Sequence, residues 1–113
     1  MISELAVVET TQIGNKVEIA EFSVIRNGVV IGDNVIIHPH VVIESGVIIG
    51  NDVEIFPGTY IGKTPKGVGA TARQITFESK VVIGDYCAIG PNVVIFYDVT
   101  IGNNTLIGDG ASL

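Results

Sequence analysis

The chain has 113 residues and is 47% apolar, enough for one domain, residues 1–113, with a folded core. Its net charge of −6 argues against general binding to nucleic acid or to an anionic membrane. No apolar run approaches the ~18 residues of a membrane span, and Glu4 interrupts the short N-terminal apolar stretch. The single cysteine, Cys87, excludes an internal disulfide. We therefore expect a cytoplasmic protein.

The amino-acid composition is that of a strand-forming chain. Ile and Val together number 35, against three Leu, one Met and no Trp. β-Branched residues favour strands, and little remains from which to build an amphipathic helix. The 14 glycines suit a chain that turns often.

A repeat of six residues organises nearly the whole sequence. Residues 1–6 precede it and are expected to cover its first coil. We call each six-residue unit a word; words run from Val7, and an isoleucine opens each one from Ile13 to Ile61 and from Ile83 to Ile107. A period of six fits neither a helix nor an open-sheet strand. It is typical of a chain that turns a corner every six residues, so the repeat predicts an all-β, parallel β-helix of about five triangular coils.

Each place in the word has a physical role. The first and fifth residues are predicted to point into the coil, so Cys87, a fifth residue, is interpreted as a small core residue. The third and fourth residues form the corner. Pro39, Pro57 and Pro91 occupy third places, and proline followed by a residue with positive φ is typical of a type II turn.

Residues 18 apart should stack in adjacent coils. This predicts an ion pair between Arg26 and Glu44 and a polar ladder of Asn15, Asp33 and Asn51. The sixth place points outward yet is often apolar, in Val24, Val30, Val42, Ile48 and Val94. Exposed apolar stripes of this kind predict self-association, which we expect to be a homotrimer.

The repeat is broken once, by a predicted external loop over residues 62–76. Sixteen residues separate Ile61 from Phe77, where the words resume, so ten residues are expected to bulge outward. Lys63, Lys66, Arg73 and Lys80, with Glu78, give residues 63–80 a charge of +3 on a body of −9.

A basic loop that contains glycine suits the binding of phosphate groups. The predicted ligands are Lys63, Lys66, Gly67, Gly69 and Arg73. The alternative is a solvated surface insertion whose charge aids solubility or trimer contacts.

The words resemble those of the bacterial hexapeptide-repeat acyltransferases from Val7 to Leu113, with the loop as the only interruption. The resemblance implies a left-handed β-helix, a trimer, and transfer of an acyl group, in the simplest case acetyl, from acyl-CoA without a metal. The looped segment is similar to that of sugar or nucleotide-sugar acyltransferases. These 113 residues show no C-terminal helix or tail of the kind that often helps the family to bind acyl-CoA.

The two histidines share one word, residues 37–42. In the resembling enzymes a histidine is the general base that deprotonates the acceptor hydroxyl or amine, and backbone amides stabilise the oxyanion. His38 stands in the outward second place and is the candidate base. His40 stands at the corner and is interpreted as a structural residue. For both, an ordinary surface histidine is the alternative.

Other classes of function fit parts of the sequence. A zinc carbonic anhydrase on the same fold needs three imidazoles, which two histidines flanking one proline fit poorly. A non-catalytic scaffold or trimerisation module fits the repeat, but it has no need of a basic loop. Because the last word shows no decay of the pattern, we also expect the 113 residues to be a part of a longer enzyme.

Overall fold

The structure is a computed structural model that describes residues 1–63 and 80–113. These residues form fourteen short strands and no helix. The strands are β1 (Val7–Val8), β2 (Glu18–Ile19), β3 (Val24–Ile25), β4 (Val30–Ile31), β5 (Ile36–Ile37), β6 (Val42–Ile43), β7 (Val47–Ile49), β8 (Glu54–Ile55), β9 (Tyr60–Lys63), β10 (Val81–Ile83), β11 (Ala88–Ile89), β12 (Val94–Phe96), β13 (Val99–Ile101) and β14 (Leu106–Ile107).

The strands lie in three parallel sheets, one on each side of a triangular coil. Sheet A has the order β14-β11-β8-β5-β2, sheet B the order β1-β3-β6-β9-β12, and sheet C the order β13-β10-β7-β4. In the regular part each residue pairs with the one 18 positions later, as Ile19 does with Ile37. Strands inside each sheet therefore pair with strands of the coils above and below, and the predicted all-β, parallel β-helix is confirmed.

The interior is a column of branched apolar side chains. First-place isoleucines from Ile19 to Ile101 and fifth-place residues from Val17 to Val93 are buried, and Cys87 is among them. Two buried fifth-place hydroxyls are satisfied by the backbone: Ser23 Oγ donates to the His38 carbonyl at 2.8 Å, and Thr59 Oγ1 donates to the Gly90 carbonyl at 2.8 Å. The predicted inward places are thus confirmed.

The corners adopt the backbone conformation that the sequence predicts. Every described non-glycine residue with positive φ stands in a fourth place, among them His40 at 60°, after Pro39, and Asn92 at 56°, after Pro91. Gly58, after Pro57, has a φ of 79°. Positive φ is the requirement of the second central residue in a type II turn.

The first word departs from the prediction. Val8, not Val7, pairs with Ile25 and packs on the core, while Val7 is half exposed. Thr10 rather than Thr11 is buried, and its hydroxyl donates to the Val29 carbonyl at 2.6 Å. The word from Val8 thus has only five residues before Ile13, because no isoleucine fixes its first place.

The insertion is also longer than the sequence predicts. Ile49 pairs with Ile83, and Asn51 bonds to Asp85, each at a separation of 34 positions. The regular separation is 18, as for Asn15 and Asp33. The insertion therefore adds sixteen residues rather than ten. The word that opens at Ile61 is completed by Val81 and Val82, and the register requires no separate word at Phe77, which lies outside the described residues. The sequence pattern assigns Phe77 to a first place because this residue is apolar and stands six positions before Ile83.

A ladder of Asn and Asp side chains runs along the corner that leads from sheet C to sheet A. The Oδ1 atoms of Asp33, Asn51, Asp85 and Asn103 each accept from the backbone N–H of the third-place residue one coil earlier, at 2.7–2.8 Å. The predicted polar ladder is confirmed, and it is longer than expected. The predicted pair of Arg26 with Glu44 is wrong, because Arg26 instead forms an ion pair with Glu9 at 3.6 Å.

The ladder requires glycine in the neighbouring second place. Wherever the next coil has a ladder Asn or Asp, the second-place residue stacked below that side chain must be glycine. A Cβ on Gly32 would lie 2.5 Å from Asn51 Oδ1 and 2.6 Å from the Gly50 carbonyl oxygen. Both atoms belong to the next coil. Asn51 Oδ1 accepts from the Asp33 N–H and the carbonyl oxygen is part of the backbone, so neither can move without disturbing that coil. Around Gly102, in the same column, a Cβ would meet nothing within 4 Å.

Gly32→Ala should therefore lower the free energy of unfolding by about 1–3 kcal/mol, the usual effect of overpacking. Gly102→Ala is the matched control and should be neutral or stabilise by up to about 1 kcal/mol, because alanine restricts the unfolded chain. Urea unfolding of the two variants measures the difference. Equal stability of both would contradict the role given to the ladder.

Candidate functional site

His38 lies directly after β5, on the outer side of sheet A. Its Nε2 is 2.7 Å from Oε2 of Glu54, a residue of β8 in the next coil. Its ring stacks on Phe56, with the ring centroids 4.8 Å apart and the planes 12° apart. The side chain keeps 31% of its surface exposed, against 40% for Glu54. The predicted base thus points outward, and two contacts fix its position.

The corner that carries both histidines is also held from inside the coil. Besides donating to the His38 carbonyl, Ser23 Oγ accepts from the Val41 N–H at 3.1 Å. The hydroxyl therefore bridges the two ends of the corner from residue 38 to residue 41. His40 occupies the positive-φ place and stacks on Phe22 with centroids 5.3 Å apart, so its interpretation as a corner residue agrees with the structure.

Two surface grooves lie on either side of the His38–Glu54 pair. One, of about 860 Å³, lies between the N-terminal segment and the start of sheet A, and its lining includes Leu5, Ile36 and His38. The other, of about 450 Å³, has Glu54, Tyr86 and Leu106 in its lining. Both volumes are in the range of small-molecule sites. His38 is thus reached from the first groove and Glu54 from the second.

The outer side of sheet B carries a second polar cluster. The Tyr60 hydroxyl donates to Glu44 Oε1 at 3.5 Å. Burial raises the pKa of Tyr60, and the nearby charge and hydrogen bond of Glu44 act in the same direction. Tyr60 is therefore a neutral donor at physiological pH, and its hydroxyl is directed at the Glu44 carboxylate.

The predicted phosphate ligands are described only in part. Lys63 ends β9, where the insertion leaves the coil, and its Nζ lies 5.5 Å from the centroid of the Phe96 ring. This cation–π contact holds the exposed ammonium at the base of the insertion. Lys66, Gly67, Gly69 and Arg73 lie outside the described residues.

Glu54 belongs to the site but is not among the residues that the sequence predicted. It stands in a sixth place, 16 positions after His38. The regular stacking distance is 18 positions, as for Asp33 and Asn51, and from His38 that distance leads to Phe56. A second-place side chain can also contact the residue 16 positions later, which is a sixth-place residue on the same outer face of the sheet. Applying that second offset would have indicated the His38–Glu54 pair.

Within residues 1–63 and 80–113, no group of three or more His, Cys, Asp or Glu side chains is arranged to hold a metal ion. In the same part of the chain, no helix has the length and apolar character needed to cross a membrane.

Comparison with known proteins identifies the family. The sequence profile described as bacterial transferase hexapeptide (six repeats) matches residues 10–45, 28–63 and 80–113, well over half of the chain. The chain belongs to the bacterial transferase hexapeptide family. The resemblance seen in the six-residue words is thereby confirmed. No curated protein matches the chain significantly.

Solved structures extend the comparison. One similar structure is that of LpxA, a UDP-N-acetylglucosamine acyltransferase from Bacteroides fragilis, with 38% sequence identity and a TM-score of 0.86. The match covers 100% of this chain and 46% of the LpxA chain. The chain therefore spans about half the length of that relative.

Proposed function

We propose that this hexapeptide-family chain takes part in acyl transfer from acyl-CoA to a hydroxyl or amine of a sugar or nucleotide sugar, with His38 as general base. The observation that carries the proposal is the imidazole of His38, which lines a groove of about 860 Å³ and is fixed by its contact with Glu54 at 2.7 Å. A general base needs this combination of a defined orientation and access to its substrate.

The reaction needs one proton acceptor and no covalent enzyme intermediate. The His38 imidazole takes the proton from the acceptor O–H or N–H as the oxygen or nitrogen attacks the thioester carbonyl. The carbon–sulfur bond then breaks, and the imidazolium returns the proton to the departing thiolate, so that free CoA and the acylated acceptor leave.

The acceptor class is inferred from the family and from the similar structure. LpxA is a UDP-N-acetylglucosamine acyltransferase, and it shares 38% of its residues with this chain over the matched region. A nucleotide sugar is therefore the first acceptor to test. Acetyl-CoA is the first donor, followed by CoA thioesters of longer acyl chains.

Replacing the proposed base gives the most direct test. His38→Asn should reduce turnover of acetyl-CoA with UDP-N-acetylglucosamine by about 10²–10⁴-fold, the usual contribution of a general base. CoA should still raise the melting temperature of this variant, because the substitution removes a proton acceptor and leaves the predicted phosphate ligands in place. Release of free thiol measures turnover.

His40→Asn is the matched control. Asparagine tolerates the positive φ of that corner, so activity should stay close to that of the unaltered chain. Equal activity of His38→Asn and His40→Asn would contradict the assignment of the base. If neither CoA nor the nucleotide sugar raises the melting temperature of the unaltered chain, the scaffold alternative is favoured.

The phosphate groups of the donor are proposed to bind Lys63, Lys66 and Arg73, with Gly67 and Gly69 permitting close backbone approach. Of these residues the structure describes Lys63, which stands exposed at the base of the insertion. The charge of +3 over residues 63–80 on an otherwise acidic chain supports the assignment.

Replacing Lys63, Lys66 and Arg73 together by alanine should weaken CoA binding and reduce its dependence on salt, because three charge-assisted contacts are lost. Titration calorimetry at several ionic strengths measures both effects. Lys16→Asn, which removes a cation from a corner in the first part of the chain, should leave both unchanged. An unaltered salt dependence in the triple variant would exclude these residues as phosphate ligands.

A homotrimer is proposed from the apolar sixth places. Val24, Val42 and Val94 lie in a half-buried stripe on sheet B, and Val30, Ile48 and Val82 form another on sheet C. A face-to-face contact between sheet B of one copy and sheet C of the next is heterologous and can close into a ring. Sheet A, with His38, would remain accessible.

Sedimentation equilibrium at micromolar concentration should give a mass of about 36 kDa for a trimer of the 11.9 kDa chain. Ile48→Asp on sheet C should dissociate it, because a charge would be buried in the contact. Ile36→Asp on sheet A is the control, since Ile48 and Ile36 are similarly exposed at 38% and 37%. Dissociation by the Ile36 substitution alone would place the contact on sheet A instead.

A further inference from the structure

The contact between His38 and Glu54 determines which ring nitrogen of His38 can accept a proton. As a carboxylate, the Glu54 side chain only accepts hydrogen bonds. At 2.7 Å from Glu54 Oε2, the Nε2 atom must therefore carry a hydrogen. In the neutral imidazole the lone pair is then on Nδ1.

The rest of the surroundings hold the ring in this orientation. Phe56 lies under the imidazole almost parallel to it, so the ring cannot tilt out of its plane without losing the stack. The His38 backbone is fixed at both sides, since its N–H donates to the Ile55 carbonyl at 3.0 Å and its carbonyl accepts from Ser23 Oγ. Glu54 is placed by the pairing of β8 with β5 and β11.

We propose that Glu54 is the positioning residue of the acyl transfer: it fixes the Nε2–H tautomer of His38, so that Nδ1 is the atom that receives the acceptor's proton. The inference rests on the proposed function of His38. Glu54 keeps its negative charge throughout and stabilises the imidazolium that forms when Nδ1 is protonated. The proton leaves Nδ1 again for the thiolate, and Glu54 exchanges no proton in the cycle.

Two substitutions separate the hydrogen bond from the packing of Glu54. Glu54→Leu keeps much of the volume and removes the acceptor, whereas Glu54→Gln keeps an amide oxygen that can still accept from Nε2–H. We expect Glu54→Leu to lower kcat by about 10–100-fold with little change in KM, and Glu54→Gln to recover part of the loss. Glu44→Leu removes a carboxylate from sheet B and is the matched control, expected to leave kcat unchanged.

A second readout does not require activity. The chain has only two histidines, so the ring nitrogens of His38 can be resolved by ¹⁵N nuclear magnetic resonance, with His40 as the internal comparison. At neutral pH we expect ¹⁵N shifts that show a proton on Nε2 and none on Nδ1 of His38. In Glu54→Leu the two shifts should move towards those of a mixture of tautomers, and in Glu54→Gln they should stay, while those of His40 do not change.

The two readouts separate failure of this inference from failure of the proposed function. A proton on Nδ1 in the unaltered chain, or a kcat of Glu54→Leu equal to that of the unaltered chain, overturns the role of Glu54. An Nε2–H tautomer that depends on Glu54, in a chain that transfers no acyl group from any CoA thioester, supports the orientation and overturns the proposed function.

Discussion

The fold depends on one constraint: the backbone of each coil must hydrogen-bond to the coils above and below it. With strands of two to four residues, no single strand is stable alone, and stability comes from stacking similar turns. The 18-residue register lets strands pair on both sides, as β5 does with β2 and β8. Inside, the same register stacks isoleucine on isoleucine, as Ile37 on Ile55, so that hydrogen bonding and packing are satisfied by one spacing.

The fold could be predicted from sequence because each place in the word is specified many times. Inward isoleucines, corner residues and the Asn/Asp ladder repeat the same information, so one irregular word does not change the result. The two errors occur where repetition fails. The first word has no isoleucine to set its register. Phe77 stands six residues before Ile83 and therefore has the spacing of a first-place residue, but the pairing of Ile49 with Ile83 requires no word there.

The site was harder to predict because the outer places are not specified by packing. The outward direction of His38 follows from its place in the word, but its partner does not. Arg26 illustrates the difficulty: Glu44 is the residue stacked on it, yet its ion pair is with Glu9 in the preceding coil. Exposed pairs contribute only ~0–1 kcal/mol, so the backbone register leaves such choices open. Glu54, likewise, lies two positions short of the residue that stacks directly on His38.

The position of His38 also follows from the chemistry of the corners. Where the next coil has Asn or Asp in its third place, the Oδ1 atom occupies the space of a Cβ, and the second place must be glycine, as for Gly32 and Gly50. Gly90 follows the same rule, since its Cβ would meet Asp109 Oδ1 at 2.8 Å. In the coils that follow His38 and Phe56 the third places are Pro57 and Pro91, which have no such oxygen. Proline corners therefore free the second place on sheet A for side chains, and a stacked imidazole and aromatic ring occupy it. Proline in the third place of the corner from sheet A to sheet B thus leaves room for the second-place side chains of His38 and Phe56.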